Sequence, residues 1–130
     1  MSVRFVSEEL VLIIHNDLLR RYGGMEGIRS KELLLSALAQ PQMTMGGKYL
    51  HKTIFDKASA YGFHLCRNHP FLDGNKRIAF VIMDIFLQAN GWEISSSEED
   101  AYTMMIDLAS GNCSKKELST WLKAHTTKLK

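Results

Sequence analysis

The chain has 130 residues, a net charge of +2, 45% apolar residues and two cysteines. That length suits a single domain over residues 1–130 with a core that needs neither disulfides nor metals, and the small net charge excludes the basic footprint of a nucleic-acid binder, so no direct nucleic-acid contact is expected. No apolar stretch is long and uninterrupted enough to cross a bilayer, and Met1–Phe5 holds no signal-peptide core, so a cytoplasmic protein with no membrane association is expected. Cys66 and Cys113 match no zinc spacing and are expected as free, buried thiols.

Ser7 is placed to cap a first helix that carries Glu8 and Glu9 in its first turn and ends at Tyr22-Gly23-Gly24. Leu10, Val11, Ile13, Ile14, Leu18 and Leu19 give it an apolar face. His15 and Asp17, two apart and so on different faces, are read as surface or locally bonded groups. Gly27–Ser30 is a connecting turn, Ser30 caps a second helix through Leu38 to Gln40, and Pro41 stops it. From Gln42 to Leu50, two adjacent glycines and no clear period predict a flexible loop.

A third helix is expected over Thr53–Arg67, with Ile54, Ala58, Tyr61, Phe63 and Leu65 as its apolar set. After the loop His69–Gly74, the run Ile78 to Leu87 is apolar most of the way round, which places a fourth helix in the centre of the core, stopped at Asn90-Gly91. Trp92–Ile94 reads as a short extended piece. Ser97 caps a fifth helix ending at Ser110-Gly111, and the capping box Ser114-Lys115-Lys116-Glu117 opens a sixth. The basic tail from Lys123 to Lys130 is expected to be a solvated, fraying end.

The chemistry concentrates at His69-Pro70-Phe71-Leu72-Asp73-Gly74-Asn75-Lys76-Arg77. A helix that starts near Asn75 leaves its first N–H groups unpaired at the positive end of the macrodipole, which is an anion site. Gly74 admits a ligand close to the backbone, and Asn75, Lys76 and Arg77 add an amide and two cations, so phosphate is the expected guest. Asp73 suits a magnesium ion that neutralises phosphate charge, and histidine at position 69 is a fitting proton acceptor for an attacking hydroxyl. Together these residues describe phosphoryl or nucleotidyl transfer.

The same nine residues resemble the signature of the Fic/Doc superfamily, in the Doc variant with lysine at position 76 where adenylylating Fic enzymes have glycine. Ser7–Leu10, Arg21–Gly24 and Arg67 extend the resemblance over nearly the whole chain. It implies an all-α fold: one compact Fic/Doc-type helical domain with a buried central helix behind the motif loop. It implies His69 as catalytic base, Gly74, Asn75, Lys76 and Arg77 as phosphate-binding residues, Asp73 as metal ligand, and ATP with Mg2+ as the nucleotide and cofactor. The loop from Gln42 to Tyr49 corresponds to the flap that holds a target segment in this superfamily.

Adenylylating enzymes carry a second arginine where this chain has Phe80, and in Doc the two changes go with a reversed nucleotide that presents its terminal phosphate. The resemblance therefore implies a toxin that phosphorylates a Ser/Thr hydroxyl of a target protein, elongation factor Tu, with an antitoxin acting in trans. Gly74 matches Fic where Doc has alanine, which keeps AMP transfer as the alternative. The motif for built-in inhibition is not matched, because Glu26-Gly27 has Tyr22 at the hydroxyl position. A non-catalytic helical binding module is the alternative of another class, and the intact motif argues against it.

Overall fold

The computed structural model describes residues 2–130 and contains α1 (Glu8–Tyr22), α2 (Lys31–Ala39), α3 (Ile54–Asn68), α4 (Asn75–Ala89), α5 (Glu98–Ser110) and α6 (Lys115–Ala124). Ser7, Ser30, Thr53, Ser97 and Ser114 cap α1, α2, α3, α5 and α6, each hydroxyl accepting from the backbone N–H three residues on. Both Thr53 and Ser114 complete capping boxes, with Asp56 and Glu117 respectively. Helix α4 begins on Gly74 with no capping side chain.

The core forms around α3 and α4. Ile78, Ala79, Ile82, Met83, Phe86 and Leu87 of α4 are all fully buried, as the apolar run anticipates. They pack with Ala58, Tyr61 and Leu65 of α3, Leu34 and Leu38 of α2, Leu108 of α5, and Leu118 and Leu122 of α6. At Gly62 of α3 a Cβ would run into the side chain of Met83, so the missing side chain is what lets α3 and α4 approach. The N-terminal segment is tied to the same core: the hydroxyl of buried Tyr61 accepts from the N–H of Val6 at 2.9 Å, and burial pushes its phenol up to about 12.

Two expectations are corrected. Gln42–Leu50 is not structureless: Thr44–Met45 (β1) and Lys48–Tyr49 (β2) pair antiparallel, with Thr44 opposite Tyr49 and Met45 opposite Lys48. Gly46 and Gly47 both have positive φ, 60° and 80°, which suits the right-handed twist of a two-residue hairpin turn. The base of this hairpin is fixed by Lys57, whose ammonium donates to the carbonyls of His51 (2.7 Å) and Lys52 (3.2 Å) and lies 4.2 Å from the Tyr49 ring centre.

The tail does not fray. Thr126–Lys128 (β4) pairs antiparallel with Trp92–Ile94 (β3), and flanking bonds run from Ser95 N–H to the His125 carbonyl (2.6 Å) and from Leu129 N–H to the Gly91 carbonyl (2.9 Å). Three residues are too few for a period-two signal, which is why composition alone misreads them. Both cysteines are free; Cys66 is buried, whereas Cys113 is only half-buried. Among the described residues no helix is long and apolar enough to cross a membrane.

Candidate active site

Helix α3 ends at Asn68, and His69 follows in a left-handed backbone conformation (φ 49°, ψ 55°), the sole non-glycine residue with positive φ among those described. Such a conformation costs about 1–3 kcal/mol in general and persists where the surroundings impose it. The loop is held from outside by the Gly27–Ser30 segment. The Pro70 carbonyl accepts from the N–H groups of Arg29 (2.7 Å) and Ser30 (3.0 Å), Leu72 N–H donates to the Gly27 carbonyl (3.0 Å), and Ile28 bridges to Phe71.

The loop is held from inside by Asn75. Its side-chain carbonyl accepts from Phe71 N–H at 3.0 Å, and its amide donates to the Phe71 carbonyl at 3.0 Å and to Nδ1 of His69 at 3.2 Å. The two Phe71 bonds fix which end of the amide faces His69. The amide expected to face phosphate is thus spent within the loop, 7% exposed, and only the backbone N–H of Asn75 remains for an anion.

His15 corrects a second expectation. It is 2% exposed, lies against Phe71 with ring centres 3.7 Å apart, and donates from Nε2 to the Asp73 carbonyl at 2.8 Å. Its spacing was the available signal, because His15 falls midway between Val11 and Leu19, the other two buried residues of α1, at steps of one helical turn. Asp17, by contrast, pairs on the surface with Arg21.

Gly74 (φ 77°) turns the chain into α4. Its own N–H donates to the Asp73 carboxylate (2.9 Å), and the first helical bond runs from Ile78 N–H to the Gly74 carbonyl (3.0 Å). The N–H groups of Asn75, Lys76 and Arg77 therefore have no acceptor among the described residues, at the positive end of a helix 15 residues long.

These groups form the polar floor of a cleft of about 660 Å³ between α1, the motif loop, α4 and α5. His69, Asp73, Gly74, Asn75, Lys76 and Arg77 all line it, so the structure brings every sequence-selected site residue to one place. Leu18, Phe80, Val81, Met105 and Ile106 make the apolar wall, and Tyr22 and Tyr102 stand at its rim, 62% and 69% exposed. The guanidinium of Arg77 rests 4.2 Å from the Tyr22 ring centre, a contact that keeps the cation at the cleft. The contribution of α5 was not legible beforehand, since it depends on which face of that helix the packing turns toward α4. Arg67 stays outside, its guanidinium 5.4 Å from the Phe63 ring centre.

Asp73 is exposed at the cleft with one backbone N–H on each carboxylate oxygen, Gly74 on Oδ1 and Met25 on Oδ2 (3.1 Å). Each oxygen keeps a further lone pair, and hard carboxylate oxygen suits magnesium. Among the described residues no cluster of three His, Cys, Asp or Glu could cage a metal. A site with one protein carboxylate completed by phosphate and water oxygens fits that donor set.

Residues 5–87, from the N-terminal segment through most of α4, match the model of the Fic/DOC family. The chain belongs to the Fic/Doc family. This Fic/Doc chain is 35% identical over 94 residues to Toxin Doc of Mycolicibacterium smegmatis, covering 71% of the chain and 72% of that relative. It is 27% identical over 112 residues to Protein kinase doc of Escherichia phage P1, covering 86% of the chain and 87% of that relative. The match takes in the whole motif and the hairpin β1–β2, and the α-helical fold is the one that the family resemblance anticipated.

Proposed function

We propose that this Fic/Doc protein is a Doc-like toxin that transfers the γ-phosphate of ATP to a Ser/Thr hydroxyl of a target protein, elongation factor Tu, and so inhibits translation. The observation that carries the reading is the unpartnered N-terminus of α4 beside His69: three free N–H groups, Lys76 and Arg77 converge where His69 and Asp73 also line the cleft. The names of the two relatives, a toxin and a protein kinase, agree with it.

In this reading the N–H groups of Asn75, Lys76 and Arg77, which the turn at Gly74 presents to the cleft, hold phosphate oxygens through a preorganised positive end that does not have to reorganise during transfer. Lys76 and Arg77 add charge to the same pocket, and the apolar wall from Phe80 to Ile106 takes the rest of the nucleotide. His69 accepts the proton of the attacking hydroxyl on Nδ1, the ring lone pair that the Asn75 amide caps at rest, so that contact gives way during transfer. Asp73 holds Mg2+, which supplies charge neutralisation to the phosphates when bound. The hairpin β1–β2 is the counterpart of the family's target-holding flap.

Glu26 lies in an irregular segment after α1, not on an inhibitory helix, so an antitoxin in trans is the proposed restraint. AMP transfer is the second reading, favoured by Gly74. The test is incubation of elongation factor Tu with this protein, Mg2+ and ATP labelled on either the γ or the α phosphate. Label from the γ position alone supports phosphoryl transfer, label from the α position supports AMP transfer, and equal labelling by a His69→Ala variant overturns both.

A further inference from the structure

Three consecutive carbonyls around His69 are taken by one residue. Arg29 donates from Nε to the His69 carbonyl at 2.6 Å, from Nη2 to the Asn68 carbonyl at 2.7 Å, and from its backbone N–H to the Pro70 carbonyl at 2.7 Å. The end of α3 is where carbonyls lack helical partners and carry partial negative charge, and a guanidinium fork answers both needs at once. Ser30 N–H shares the Pro70 carbonyl at 3.0 Å, and the other restraints act elsewhere: Asn68 donates its amide to the Leu33 carbonyl, and Leu72 donates to the carbonyl of Gly27. Among the described residues only Arg29 grips the carbonyl of His69 itself, the residue held at φ 49°.

We infer that Arg29 is a positioning residue for His69: its clamp on the carbonyls of residues 68–70 holds the left-handed turn that aims the imidazole at Asn75 and the cleft. This rests on His69 being the base of the proposed reaction. Arg29 lies in the 27–30 segment, away from the cleft lining, so its effect reaches the reaction only through His69 and the loop.

The experiment compares wild type with Arg29→Ala and Arg29→Lys, the second retaining charge and stem without the fork. Misaiming a base by about 1 Å lowers turnover by about 100-fold, so Arg29→Ala is expected to lose about that factor in kcat while KM for ATP stays within about threefold. Arg29→Lys falls between, and added guanidinium ion restores turnover to Arg29→Ala where methylammonium does not. Nitrogen NMR of the His69 ring supplies a readout independent of any transfer: wild type holds the proton on Nε2, and both variants show a mixture of tautomers.

An unchanged ring tautomer in Arg29→Ala overturns the inference. So does a fall in ATP affinity as large as the fall in kcat, which is the mark of general loosening. If wild type transfers nothing, the proposed reaction fails on its own, and the ring signal still decides the role of Arg29.

Discussion

The side-chain amide of Asn75 stands 3.2 Å from Nδ1 of His69 while its carbonyl is anchored on the N–H of Phe71. Because that anchor leaves only an N–H to face the ring, neutral His69 accepts at Nδ1 and carries its proton on Nε2. One buried side chain therefore closes the loop and, at rest, caps the Nδ1 lone pair of His69.

Asn75→Asp reverses the polarity at this contact. The carboxylate can only accept, so it draws the ring proton to Nδ1, and it leaves the Phe71 carbonyl without its donor. Nitrogen NMR should show the ring proton moved from Nε2 to Nδ1, and urea unfolding should show a loss of about 1–3 kcal/mol.

Asp73→Asn separates the two roles of charge at the cleft. ATP affinity measured by calorimetry with Mg2+ should fall, because the proposed ligand is lost. Without Mg2+ the variant should bind ATP at least as tightly as wild type, since a negative charge near phosphate is gone. A loss of equal size in both conditions would remove the metal-ligand role.

Phe86→Ala tests the support behind the site. Phe86 is fully buried and packs at a tilt against Tyr61 and Phe5, with ring centres 5.1 and 5.9 Å away. The cavity should cost about 3–5 kcal/mol in denaturant unfolding. Specific activity of the protein that remains folded should change little.

His64 makes stability depend on pH. Burial, then the nearby Lys115 ammonium (Nζ to Nε2, 3.0 Å) and His51, push its pKa down to about 4. The folded state thus disfavours protonated His64, so its contribution is complete above the unfolded value of 6.5 and is lost as pH falls toward 4. Wild type should lose thermal stability across that window more steeply than His64→Gln, and parallel curves would contradict the assignment.

Four helices were legible because their caps and apolar periods agree, Ser7, Ser30, Ser97 and Ser114 each standing where a helix begins, and α3 and α4 were legible from their apolar residues alone. The floor of the cleft was legible too, because its residues are contiguous from His69 to Arg77. What stayed hidden depends on contacts distant in sequence. His15 and Arg29 reach the loop across 58 and 40 positions, and Asn75 turns its amide inward because Phe71 offers it both a donor and an acceptor. The β3–β4 pairing escaped for the same reason, since Thr126–Lys128 gains its order only from a strand more than thirty residues earlier in the chain.

The most direct test of the central claim is the intact mass of elongation factor Tu after incubation with this protein, ATP and Mg2+, with His69→Ala as control. The account predicts a gain of one phosphate with wild type and none with the variant. A gain of one AMP, the same gain with His69→Ala, or no gain with wild type would contradict it.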